Sequence, residues 1–242
     1  MLLKALKSNQ PYHFLLIPLV AIGLWIRSFV QPHAYPFYAG EDSMLLYKPF
    51  NYILQDNLLL NNILALLFTI LLAFLISKLN VQYTFIRVRS YLPPSLFILI
   101  TSGIPDLHAM HPVYPATLFL VLAIDRIFNA YDKLVIHSNA FDAGIFLAIG
   151  SLFYLNLVFF FPILWFGLII LKPKVNWREF VLTTIGFALP LVAAYAYYLI
   201  AGQQAELIQT LQVNFASPQL FLRANLSVQL YMGYLLILTL LG

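Results

Sequence analysis

Two short runs carry the side chains best suited to chemistry. Gly40-Glu41-Asp42 sets two carboxylates behind a flexible glycine. Either suits a general base or a metal-binding oxygen facing a membrane-embedded cavity. Neighbouring helical residues point about 100° apart, so the two carboxylates do not serve one point. Asp42 is marginally preferred as the catalytic group, with Glu41 in support. The plainer reading of the run is an exposed acidic turn. The second run is Pro105-Asp106-Leu107-His108-Ala109-Met110-His111-Pro112. On a helix His108 and His111 share a face, which permits a metal site. The bracketing prolines leave room for about one turn, and the spacing matches no specific metal motif. Here the plainer reading has Asp106 capping the next helix and the histidines bonding to backbone.

Other charged residues sit near the ends of apolar runs. Arg27 and Arg223 suit a lipid phosphate, or simply snorkel to the headgroups. Asp125-Arg126 and Asp132-Lys133 read as local ion pairs and orientation anchors. Asp142 stands near a helix start, where a carboxylate meets the positive helix end. His13 and His137 have no companions and receive no role. With 0 cysteines, disulfides and thiolate chemistry are excluded.

The elements that must position these groups follow from composition. Hydrophobic residues make up 62% of the 242-residue chain and charged residues 9%, against about 25% charged in soluble domains. Mean hydropathy is +0.87. Such a chain needs a bilayer as solvent, and a bilayer favours helices with internally paired backbone. Continuous apolar runs such as Leu58–Ile76 and Phe180–Ile200 fit helices, not the alternating strands of a barrel. An all-α, polytopic transmembrane bundle in a single domain is expected. About eight spans are predicted, over residues 12–30, 58–77, 92–105, 112–128, 141–156, 157–172, 179–200 and 226–242. Several are short for a crossing of about 20 residues. Residues 141–172 could form one long bent helix, but Asn156 and Pro162 mark a break there, and a single crossing would put the last basic cluster on the wrong side.

Charge supplies orientation. Lys4, Lys7, Lys78, Arg87, Arg89, Arg126, Lys133, Lys172, Lys174 and Arg178 fall on one side when eight spans alternate, and that side is the cytoplasm. The opposite side receives Glu41, Asp42, Asp56, Asp106 and Glu206, with Arg27, Lys48 and Arg223 as its basic residues. Both chain ends are therefore expected to be cytoplasmic. The sequence pI near 9.2 comes from these loop cations, so a nucleic-acid partner is not expected. Residues 1–30 lack a small-residue cleavage site and read as an uncleaved first helix. The apolar run reaching Leu241-Gly242 fits an abrupt last helix or a longer protein. Residues 31–57 mix charge with aromatic rings, and Ala205–Val213 reads as a short amphipathic helix. Both suit the outer interface.

The stretches Phe97–Gly103, His111-Pro112-Val113, Leu122–Phe128, Phe141–Gly144 and Trp177-Arg178-Glu179 together resemble a multi-spanning inner-membrane family of Bacteroidetes, over most of the chain. The layout, a first helix followed by an acidic outer loop with interface helices and then short or bent helices, is similar to GT-C membrane glycosyltransferases. That resemblance implies a polyprenyl-phosphate sugar donor and Asp42 or Glu41 as the acidic residue. It also implies Arg27, Lys48 or Arg223 as donor-phosphate ligands, and Asp106, His108 and His111 are further candidates for the substrate site. GT-C enzymes are longer, often with an outer soluble domain. No cofactor is specified; membrane lipids are expected partners, and membrane proteins join them if the chain is a non-catalytic partner or assembly factor of an envelope complex. A small-solute transporter with a broken-helix site at Asn156 and Pro162 is a third reading. It lacks the ionisable mid-membrane residues that transport calls for.

Overall fold

Proline and asparagine punctuate the chain where its helices begin. The computed structural model describes residues 13–35, 37, 40–84, 91–131, 137–172, 176–216, 229–231 and 233–234. The helices are α1 (His13–Val30), α2 (Lys48–Leu54), α3 (Leu58–Tyr83), α4 (Leu92–Ser102), α5 (Val113–Phe128), α6 (His137–Phe153), α7 (Phe161–Leu171), α8 (Trp177–Ile200) and α9 (Gln204–Ala216). Short 3₁₀ turns cover Pro105–His108 and Leu155–Phe160. Among the described residues there is no strand. Proline stands in the first turn of α2, α4 and α7, where its missing N–H costs nothing. The Asn57 side chain caps α3 by accepting from Leu60 N at 3.0 Å. At α8, Asn176 accepts from Arg178 N at 3.3 Å while Glu179 accepts from Asn176 N at 3.1 Å, which closes a capping box.

Among the described residues, α3 and α8 are the helices long and apolar enough to cross a membrane. Their 26 and 24 residues span about 39 and 36 Å at 1.5 Å per residue. Helices α1 and α4 and the run Leu155–Leu171 are apolar and shorter. The break expected at Asn156 and Pro162 lies at Tyr154, where the backbone turns extended before the 3₁₀ turn; Pro162 opens α7 instead. The amphipathic segment at 205–213 is α9.

The bundle forms around two groups. Helix α6 packs between α5 and α8, while α1, α3 and α4 pack on one another and join the first group through α3 and α5. Gly144 and Gly186 bring α6 and α8 into backbone contact. A Cβ on Gly144 would lie 2.2 Å from Thr183 O, and one on Gly186 would lie 2.2 Å from Phe141 O. Small residues are what such close crossings require. The outside is apolar: Leu19, Ile22, Ile26, Val181, Ile185 and Val192 are all exposed. Asn61, Asn62, Thr69, His108 and His111 are buried beside a core of apolar side chains such as Trp25, Leu72, Ile98 and Leu147.

Long-range contacts sort by end. At one end Tyr83 Oη donates to the Asp125 carboxylate at 3.0 Å, Arg126 pairs with Asp142 at 3.9 Å, and buried Lys172 pairs with Glu179. Arg126 thus reaches across to α6 and does not form the expected local pair with Asp125. At the other end Trp25 Nε1 donates to Ser102 Oγ at 2.9 Å and Leu46 N donates to Leu152 O at 3.2 Å. Lys48 pairs with Glu206 at that same end.

Candidate functional site

Both chemistry-bearing runs lie at the Trp25–Ser102 end, and each is held by helices far away in sequence. Gly40 adopts φ +93°, a left-handed conformation natural to glycine. A Cβ there would lie 2.8 Å from the Asn214 amide nitrogen, and that amide donates to Gly40 O at 2.8 Å. Helix α9 thereby clamps the acidic turn from outside. The turn splits its two carboxylates: Asp42 is exposed, whereas Glu41 is only 2% exposed. The sequence preference for Asp42 over Glu41 therefore falls on the group that faces outward.

Glu41 meets His111. The His111 Nε2 lies 3.2 Å from Glu41 Oε2, and the imidazole is 4% exposed. Val113 N lies 3.2 Å from His111 Nδ1. A backbone N–H only donates, so Nδ1 is the acceptor and the ring proton sits on Nε2, directed at Glu41. Tyr35 packs against the ring at 4.2 Å between centroids, with Phe37 and Tyr154 each at 6.1 Å. Tyr47 donates to Met110 O at 3.0 Å. Burial, together with the charges of Asp42 and Glu41, pushes its phenol well above the ordinary value.

His108 faces the other way. Its 3₁₀ turn ends at Ala109, so the shared helical face expected for the two histidines does not form. The His108 ring stacks on Trp25 at 4.2 Å with 19° between planes. Nε2 lies 3.2 Å from Ser102 O and Nδ1 lies 2.5 Å from Ser28 Oγ. A carbonyl only accepts, so Nε2 carries the proton and Ser28 donates its hydroxyl proton to Nδ1. Burial lowers the His108 pKa, with the nearby His33 acting in the same direction. Among the described residues, no cluster of three or more potential metal ligands forms.

A cavity of about 730 Å³ opens beside this ring, lined by Leu24, Arg27, Ser28, Gln31, Pro32, His33, Ser102, Pro105, Asp106 and His108. Arg27, Asp106 and His108 were legible as candidates; their convergence on one cavity was not. Asp106 lines the cavity rather than capping α5, whose N-cap position is Pro112. His33 Nε2 lies 3.1 Å from Pro105 O, tying the loop after α1 to the 3₁₀ turn. Lys48 is engaged by Glu206, and that hydrogen bond raises its pKa. Arg223 lies outside the described residues.

Sequence reasoning passed over Ser28, Trp25 and Ser102. Only the adjacency of Ser28 to Arg27 hinted at the first of them. No family model, curated protein or solved structure matches the chain.

Proposed function

We propose that this is a multi-pass protein of the bacterial inner membrane, GT-C-like in layout, that handles a polyprenyl-phosphate-linked sugar at the outer face. The observation that carries this reading is one end of the bundle holding both a buried carboxylate–imidazole pair and an Arg27-lined cavity. The apolar exterior and the long apolar helices α3 and α8 support a membrane location; eight alternating crossings with a cytoplasmic N-terminus rest on the spacing of the loop cations. In this reading Arg27 meets the donor phosphate, a charge-assisted pairing that steadies the leaving group. Gln31 and His33 add hydrogen-bond capacity, and Asp106 faces sugar hydroxyls. Glu41 accepts the acceptor's proton while His111 Nε2–H orients the carboxylate. Asp42 and Lys48 are exposed and do not line the cavity.

Mass spectrometry of polyprenyl-phosphate lipids in cells lacking the protein tests this. A sugar-linked lipid should accumulate, wild type should clear it, and Glu41→Gln and Arg27→Ala at equal abundance should not. An unchanged lipid pool in every strain rules the reading out. The deep burial of Glu41 favours a second reading, a non-catalytic membrane partner of an envelope complex. In that case Glu41→Gln lowers abundance, and any Glu41→Gln protein that remains still works.

A further inference from the structure

Ser28 stands out among the groups that glycosyl transfer leaves unused. Ser28 lines the 730 Å³ cavity, and its hydroxyl donates to His108 Nδ1 across 2.5 Å. Three contacts hold the imidazole in place: the Ser102 carbonyl on Nε2, the Trp25 indole on its face, and the Ser28 hydroxyl on Nδ1. Trp25 is itself tied to Ser102 Oγ, so α1, α4 and the 3₁₀ turn form one closed set of contacts. A hydroxyl bonded to an oriented neutral imidazole is the arrangement of an activated nucleophile, recognised by geometry rather than by sequence order. The Ser102 carbonyl takes the orienting position that a carboxylate fills in the serine hydrolases.

We propose that Ser28 is a nucleophile with His108 as its general base, and that the cavity accepts the carboxylic ester of an anionic amphiphile. Ser28 Oγ attacks the ester carbonyl carbon while its proton passes to His108 Nδ1. The ester C–O bond then breaks, and the departing alcohol takes that proton. Water, deprotonated by the same nitrogen, attacks the acyl-Ser28 carbon to release the carboxylic acid and restore the hydroxyl. The imidazolium formed in each half-reaction keeps its Nε2–H on the Ser102 carbonyl. Arg27, next in the chain to Ser28 and on the same cavity, suits a phosphate beside the ester, and Leu24 offers apolar contact to the chains.

The full chain in detergent, treated with a fluorophosphonate probe, tests this step. Peptide mass spectrometry should find Ser28 modified ahead of every other serine. Ser28→Ala should abolish that signal, and His108→Gln should slow it about 100-fold. Ser28→Cys should lose the fluorophosphonate signal and be alkylated by iodoacetamide, which reports access to the cavity. No modification of Ser28 in the wild type overturns the proposal, whether or not the cysteine is alkylated. If His108→Gln does not fold, preference for Ser28 over the other serines in the wild type decides. Equal labelling of folded His108→Gln removes the general base. Fatty-acid release from phosphatidylglycerol vesicles, absent for Ser28→Ala and for ether-linked vesicles, tests the substrate class; no release overturns it. Both readings use Arg27 and its cavity, and their failures are told apart because Ser28 labelling reports only this one and Glu41-dependent lipid clearance only glycosyl transfer.

Discussion

At the scale of single residues, two histidines three positions apart are given different work by one change of backbone direction. His108 ends a 3₁₀ turn beside Trp25 and Ser28, while His111 turns into the aromatic pocket around Glu41. Each carries its proton on Nε2 because backbone groups dictate the tautomer. Burial holds the folded His108 below the ordinary imidazole value of about 6.5. The unfolded chain therefore takes the proton first as pH falls, and the native state binds fewer protons. Stability is complete above about pH 6.5 and falls on acidification below it. Thermal melting in detergent should show this decline, and His108→Gln should flatten it. Parallel curves for the two proteins would assign the acid sensitivity to another group.

At the scale of elements, α6 and α8 meet through glycine on both sides. With Cβ positions 2.2 Å from opposing carbonyl oxygens, even alanine forces the helices apart. Gly144→Ala should cost about 1–3 kcal/mol, the range for overpacking, read as a lowered melting temperature. Gly23 in α1 has no atom within 4 Å of such a Cβ. Gly23→Ala should be neutral or stabilising by up to about 1 kcal/mol through helix propensity. Equal losses in both variants would mean that the α6–α8 approach is not what constrains Gly144. The break between α6 and α7 has a similar local cause. Tyr154 leaves helical geometry and Pro162 opens the next helix, so the break needs no long loop.

At the scale of the whole molecule, the long-range contacts fall at two ends of the bundle, and the side each end faces is the expectation that the loop cations raise. Arg126 and Lys172 at one end are paired there with Asp142 and Glu179, and Lys48 at the other is paired with Glu206. The absence of cysteine from the sequence makes sidedness direct to measure. In spheroplasts a membrane-impermeant maleimide should label Asp42→Cys at once, and Ser138→Cys only after permeabilisation; both residues are exposed. Labelling of both from the same side would end the alternating arrangement, and with it the outer location of the cavity.

The helices were written in the sequence because burial in an apolar solvent is a property of long runs. Leu58–Ile76 needs no partner to be read as a crossing helix, since its backbone pairs internally. The prolines of α2, α4 and α7 act on their own backbones; of them the sequence predicts a role for Pro162 alone, as a break within 141–172, and the structure has it open α7. Candidate carboxylates and histidines could be named from residue type, because few ionisable groups occur in such a chain. Which of them point inward was a tertiary matter. Glu41 and Asp42 are neighbours with the same chemistry, and the left-handed Gly40 together with Asn214 of α9, some 174 positions away, turns one in and the other out. Ser28 has no distinguishing neighbour in sequence beyond Arg27. It acquires chemical interest only when the 3₁₀ turn brings His108, 80 positions on, onto its hydroxyl. Local pattern sets the elements because their hydrogen bonds close within a few residues. The site depends on contacts between segments remote along the chain, and only packing the helices together decides those.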